Sequence, residues 1–459
     1  MSAAVDVAVL GAGPAGLLAA LALVRRGRRV VVVEQSAAVG GLAGSFEVAG
    51  VRVDHGSHRL HRACDPALLG LLRELLGDDL QRRARRGRLR LAGRWVQFPP
   101  RAADLARNLP PGLALRLALD AVGASLRTPA ADTFDEVIRA GLGPTMYRRF
   151  YGPYVEKIWG IPGERLSGEL ARRRVGARSG VELLSRLRSP DPDARTFFYP
   201  RRGFGEIVER LADAAVAAGA ELVLGEAVAG VSDRGEVRTT RRSVPAELVL
   251  STIPLNALAG LVHPAPAPPV VTASGLLRYR ALVLCYVVLE RECYTEFDAH
   301  YFPGSETAAS RVSEPTRYRD GAGTDPAGRT VLCIELPCSI GDATWTAHPS
   351  DLAARTMVEL ARCGLPAATP VHAEVRRVPH AYPVYDVGYE GPLATLDGWA
   401  RSLTRIVTFG RQGLFAHDNT HHALAMGAAA AAAVREDGSF DAGAWLEACD
   451  RFRTHVVED

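Results

Sequence analysis

The chain has 459 residues, 47% of them hydrophobic and 23% charged, with a formal net charge of +4 at pH 7. That length exceeds what one hydrophobic core fills and implies two domains. The charge is too slight for its length to suggest nucleic acid, and the arginine-rich stretch Arg82–Arg90 reads as solvated helix and loop faces. Seven scattered cysteines without a Cys-x-x-Cys pair read as reduced thiols. No charged-then-apolar leader precedes the first strand, and the apolar stretch 423–434 is shorter than the ~20 residues of a membrane span. A cytoplasmic protein is expected.

In chain order, Val5 to Leu10 is a buried apolar strand, Gly11 to Gly16 a tight turn, Leu17 to Arg26 a helix closed by Gly27, and Arg29 to Val33 a second strand ending on Glu34. This is a βαβ start with a parallel sheet. From Arg52 to Ser189 the pattern is helical, broken at Pro99-Pro100, Pro110-Pro111 and Gly152-Pro153. Gly203 to Ala218 is a helix, followed by strands at 221–224, 227–231 and 247–251. Ala281 to Glu290 and Val331 to Leu336 are strands of a second domain. Val262 to Pro269 reads as a linker, Arg405 to Phe409 as a strand, Gly410 to Asn419 as a loop and Thr420 to Ala433 as a helix.

Gly11-x-Gly13-x-x-Gly16 follows a strand, opens a helix and is answered by Glu34 at the end of the next strand. In that context it is a dinucleotide site. Gly11 permits the turn, Gly13 lets the backbone approach a pyrophosphate, and Gly16 lets helix and strand pack. The helix N-terminus offers free N–H groups and a positive dipole end to phosphate. Glu34 is placed to accept ribose hydroxyls and would repel a 2′-phosphate, which argues against NADP there.

The segment Gly40-Gly41-Leu42-Ala43-Gly44-Ser45 resembles the second glycine motif of the amine-oxidase and protoporphyrinogen-oxidase-like flavoproteins, with Leu42 where many members carry arginine. Val53 to His61 resembles the segment passing close to the flavin in those proteins, and also the Gly-Pro-His-x-Phe-His stretch of UDP-galactopyranose mutases. Tyr151 to Pro162, Tyr199 to Gly205 and Ser251 to Leu255 resemble further blocks of the superfamily. Phe409-Gly410-Arg411-Gln412-Gly413 through Asp418-Asn419 is similar to the final FAD motif, in its mutase-like Gly-Arg version. The resemblance implies a Rossmann-type α/β FAD-binding domain of the glutathione-reductase kind, assembled from 1–86, 195–265 and 400–459. An inserted α+β substrate-binding domain would be built from 87–194 and 266–399. It further implies FAD contacts at Gly11, Gly13, Pro14, Ala15, Gly16, Glu34, Gln35, Gly41, Leu42, Ala43, Gly56, Ser57, His58, Val228, Thr252, Gly410, Arg411, Asp418, Asn419 and Thr420.

For catalysis the candidates are His58 and His61, with hydrogen-bonded structural histidines as the alternative; Tyr382 and Tyr385, whose segment 381–386, like 311–315, resembles segments lining the active-site cavity of relatives, with core tyrosines as the alternative; and Lys157. Lys157 is the only lysine among 55 basic side chains, which leaves 54 arginines. A site that keeps lysine against such a bias is a candidate for needing a compact or titratable ammonium; a structural pair with Glu156 is the alternative. His417, His421 and His422 with Asp418 lack a placed third ligand in a loop, so no metal is expected. The leading function is an FAD-dependent oxidoreductase, in which the flavin takes hydride from a small organic substrate and passes electrons to oxygen or a nicotinamide nucleotide. A redox-neutral mutase acting on a nucleotide sugar is the rival, and a non-catalytic binding protein like the Rab GDP-dissociation inhibitors a third.

Overall fold

The computed structural model describes residues 5–124, 132–174, 195–321 and 325–457. The run Val30–Val33 is buried on all four residues, as a parallel strand covered on both faces requires. It pairs in parallel with Val5–Leu10, which pairs in parallel with Ser243–Ser251, which in turn takes up Ile406–Thr408. Glu221–Val223 extends this sheet beyond Val30–Val33, and the antiparallel strands Glu236–Thr239 and Val228–Ser232 extend it on the other side. Segments from the start, middle and end of the chain therefore form one sheet.

Helix Pro14–Val24 lies against this sheet and against Thr420–Ala432. The two helices approach closely: a Cβ on Gly427 would lie 2.3 Å from the Ala15 carbonyl oxygen.

A second sheet runs in the order His372–Pro383, Tyr279–Leu289, Thr330–Cys338, Arg311–Ser313, Ala299–Tyr301, Gly87–Leu91, Arg94–Phe98. Tyr279–Leu289 is buried along nine consecutive residues, so both of its faces are covered. On one face Leu352, Met357 and Leu360 of helix Pro349–Arg362 pack against Val283, Cys285 and Val287. On the other, Leu284 and Tyr286 meet Val51 and Val53 of the hairpin Ser45–Val48/Val51–Asp54. Each such aliphatic residue contributes roughly 1.5–3 kcal/mol when fully buried. This hairpin joins the two sheets, and the segment leaving it enters the space between them.

Three expectations are corrected. Residues 52–98 hold one helix, Pro66–Leu76, between strands that the helical reading did not expect: Val51–Asp54, Leu80–Ala84, Gly87–Leu91 and Arg94–Phe98. In Gly87–Leu91 the buried positions alternate with Arg88 and Arg90, a period of two that the surrounding arginines disguise. From Ala102 to Arg174 the described segments are helical, as expected; the expectation for 175–189 lies outside the described residues. The linker 262–269 contains the edge strand Val262–His263, paired with Val228–Ser232, and the start of helix Pro268–Leu276. Gly410–Gly413 is a short helix rather than loop.

Candidate functional site

A cavity of about 790 Å³ lies between the two sheets, and every cofactor-contacting residue named from the sequence lines it. Its floor is backbone. Gly11 has φ +103°, and a Cβ there would meet Thr252 Oγ1 at 2.2 Å; a Cβ on Gly16 would meet the Gly11 carbonyl oxygen at 2.0 Å. Only glycine fits either place. Gly13, by contrast, has nothing within 4 Å of a Cβ and opens onto the cavity. It also caps helix Pro14–Val24 without any side-chain acceptor, so the helix N-terminus keeps its N–H groups for a ligand. Glu34 is buried, and its carboxylate accepts from the amides of Ala12 and Ser36, each at 2.9 Å. Those bonds aim it while leaving lone pairs for ribose hydroxyls. Gly410, at φ +74°, brings the final motif against Ala15 and Thr252. A cradle with this tight turn, open glycine and aimed carboxylate fits the adenosine diphosphate half of FAD.

The facing wall is made of side chains. Asp54, buried at the end of the hairpin, accepts from Ser45 Oγ at 2.6 Å, from the Phe204 amide at 2.9 Å and from the Tyr199 hydroxyl, which fixes the start of segment 55–61. Glu335 accepts the Ser57 amide at 2.9 Å and a two-pronged bond from Arg311, 3.0 Å at each contact. This bidentate pair fixes both the start of segment 55–61 and the cavity wall. His58 donates from Nε2 to the His55 carbonyl oxygen at 3.0 Å and stacks on Phe204. Burial lowers the pKa of His58, so its ring is neutral at pH 7 with Nδ1 as the proton-accepting atom. Arg59, also on the wall, is tied to Asp298 at 3.0 Å and to the Tyr301 hydroxyl at 3.2 Å.

Sequence reasoning missed several wall residues: Arg59, Arg85, Arg174, Glu335 and Arg377. Arg85 lies inside the stretch read as solvated, yet it is buried against the cavity. Arg174 donates to the Tyr154 hydroxyl at 2.7 Å and contacts His417 Nε2 at 3.2 Å. Arg411 is half-buried, donates to the Ala381 carbonyl oxygen, and its buried Nε has no partner among the described residues. Such an unsatisfied cation on the cavity surface suits a ligand anion.

Of the catalytic candidates, His58, His61 and Tyr382 line the cavity; Lys157 and Tyr385 do not. Tyr385 sits behind the final motif, donating to the Phe415 carbonyl oxygen at 2.9 Å and accepting from the His417 amide at 3.2 Å. Lys157 Nζ donates to the carbonyl oxygens of Phe302 and Ala309 rather than to Glu156. Among the described residues, the group with ligand atoms near one another is Asp418, His422 and His455, not His417 with His421. The two rings stack at 4.0 Å and 15°, and Nδ1 of each faces the Asp418 carboxylate. Burial would raise the Asp418 pKa, but the hydrogen bonds of His422 and His455 hold it below its ordinary value. The cluster is a carboxylate shared by two imidazoles, at 3.4 and 3.2 Å.

Solved structures share this fold over nearly all of the chain. A reduced UDP-galactopyranose mutase superposes with a TM-score of 0.80 at 20% identity, covering 99% of this chain and 100% of that one. A protein described as a protoporphyrinogen oxidase, from Exiguobacterium sp. 255-15, gives 0.71 at 18% identity over 93% and 97%. Putrescine oxidase bound to putrescine gives 0.65 at 19% identity over 94% and 98%. A phytoene dehydrogenase of Streptomyces griseus is 56% identical over 50 residues, which are 11% of this chain and 10% of that protein. Among the described residues no helix is long and apolar enough to cross a membrane. The family model for flavin-containing amine oxidoreductases matches residues 14–436; the chain belongs to that family, and its cofactor is FAD.

Proposed function

We propose that the chain is an FAD-dependent dehydrogenase, oxidase or desaturase that takes hydride from a small organic substrate bearing an anionic group. The supporting observation is the side-chain wall. Arg59, Arg174, Arg311 and Arg377 line the cavity with the glycine floor; Arg311 is paired with Glu335, the acid among them, and Arg59 with Asp298 behind the wall. A substrate ammonium would meet guanidinium groups there, whereas a carboxylate or phosphate would be received by them. When bound, FAD supplies the two-electron acceptor. The chain's own residues do the remainder. Gly13 and the following helix hold the pyrophosphate, and Glu34 orients the ribose. Tyr382 and Ile158 cover part of the cavity from water, while neutral His58 offers Nδ1 as a proton acceptor.

The division into a cofactor-binding part (1–86, 195–265, 400–459) and a substrate-binding part (87–194, 266–399) belongs to this proposal. So do a cytoplasmic location, in keeping with six buried free thiols, and electron transfer onward to oxygen or a nicotinamide nucleotide. A redox-neutral mutase acting on a nucleotide sugar is the second reading, because an arginine wall also receives a diphosphate. Anaerobic mixing separates the two. An oxidoreductase substrate bleaches the flavin without added reductant; a mutase substrate turns over only after prior reduction, with no bleaching.

A further inference from the structure

Helix Gly152–Trp159 carries Lys157 away from the cavity, toward the connection between strands Ala299–Tyr301 and Arg311–Ser313. That connection begins at Phe302 and returns by Ala309 and Ser310. Lys157 Nζ bonds the carbonyl oxygens of Phe302, at 2.6 Å, and Ala309, at 3.0 Å. The ammonium thus pinches the neck of the loop. The residues next to its two anchor points, Tyr301 on one side and Ser310 and Arg311 on the other, line the cavity. We propose that Lys157 is a positioning residue: it clamps the 302–309 loop so that Tyr301 and Arg311 present their polar groups to the substrate side of the FAD cavity.

Two carbonyls converging on one point suit a compact ammonium with three tetrahedral donors; a planar guanidinium is larger and forks its donors outward. This accounts for one lysine among 54 arginines without placing it at the flavin. The surroundings are acidic but not bonded to it: Glu306 on the loop, and Glu359 and the Cys363 thiol on and after helix Pro349–Arg362. Arg90 of strand Gly87–Leu91 faces the same group, 3.7 Å from Glu306, while Glu335 on the neighbouring strand turns to Arg311. Burial pushes the Lys157 ammonium down to about 8, so it is charged at pH 7 but held there at a cost to stability. A charge kept under that cost, on two carbonyls at the base of a site loop, is holding the loop.

The proposal rests on the anionic-substrate reading for what Arg311 does, but not for where the loop sits. The experiment therefore has two arms, both on the FAD-loaded full chain as wild type, Lys157→Met and Lys157→Arg. In the first, amide hydrogen exchange is followed at 301–311. The clamp predicts exchange roughly tenfold faster or more there in both variants, from loss of charge-assisted bonds, with strand Val5–Leu10 unchanged. In the second, inorganic pyrophosphate is titrated and the flavin absorbance read; wild type should bind and both variants bind several-fold more weakly, with wild-type FAD content. Unchanged exchange at 301–311 overturns the clamp, as does pyrophosphate affinity equal to wild type in Lys157→Met. A wild type that does not respond to pyrophosphate overturns the anionic-substrate reading instead, while the exchange arm still decides on Lys157.

Discussion

The two walls of the cavity are built on opposite principles. The floor is glycine backbone and a helix end: Gly11, Gly13, Gly16 and Gly410 make room, and one carboxylate, Glu34, is aimed by two backbone amides. The facing wall is side chain upon side chain, with Arg311 on Glu335, Arg59 on Asp298 and Arg174 on Tyr154, each pair joining separate strands, helices or loops. The floor recognises a ligand that does not change, so rigid backbone suffices. In the proposed function the wall receives the substrate, where the identity and charge of side chains decide.

The comparison breaks most sharply at Gly16. Gly16→Val places methyl groups where even a Cβ lies 2.0 Å from the Gly11 carbonyl oxygen. About 3 kcal/mol or more of stability should be lost with the bound flavin, seen as a lowered melting temperature and colourless protein. Behind the wall, Lys157 gives a pH signature of almost that size. Burial lowers its pKa from 10.5 to about 8 in the folded chain. The unfolded chain therefore holds the proton to higher pH, and stability rises as pH increases from 8 toward 10.5. Measured as wild type minus Lys157→Met in urea melts, the rise should approach ~3 kcal/mol at most. A flat difference would mean that Lys157 is not desolvated.

Glu34→Gln keeps the shape of the floor and removes one charge. FAD affinity should fall by about 1.5 kcal/mol, roughly tenfold, from loss of a charge-assisted bond, read as flavin retained after dialysis. Arg377→Gln is the smallest change. Arg377 already donates to the carbonyl oxygens of Trp345 and Ala347 and is partly solvated. Its removal should leave FAD content untouched and weaken an anionic ligand by about 1 kcal/mol or less.

The same contrast explains what was legible in the sequence. The floor is written in short spacings, Gly11 to Gly16 and Gly410 to Thr420, where the chain must turn next to a strand or helix end. Those motifs carry their own geometry. The wall is not written that way. Arg59, Arg85, Arg174 and Arg377 are four among 54 arginines, and tertiary contacts place them: Arg59 reaches Asp298 and Tyr301, Arg174 reaches Tyr154 and His417, and Arg377 rides on the strand paired with Tyr279–Leu289. Lys157 stood out by rarity, which marked it as constrained but could not say by what. Tyr385 had the right neighbours in sequence, yet its hydroxyl is used by Phe415 and His417 behind the cavity. The strands at 80–98 were hidden by arginines whose alternation with buried Leu89 and Leu91 is a two-residue period too short to stand out.

The central claim is that this FAD site oxidises a substrate held by arginine. The most direct measurement is anaerobic flavin absorbance on mixing with two matched sets of small reductants, one carrying carboxylate or phosphate groups and one carrying only amines such as diamines. Bleaching by a member of the anionic set, abolished by adding inorganic pyrophosphate as competitor, is the predicted result. Bleaching by the amines alone, or turnover of a nucleotide sugar that requires prior reduction and leaves the flavin spectrum unchanged, would contradict it.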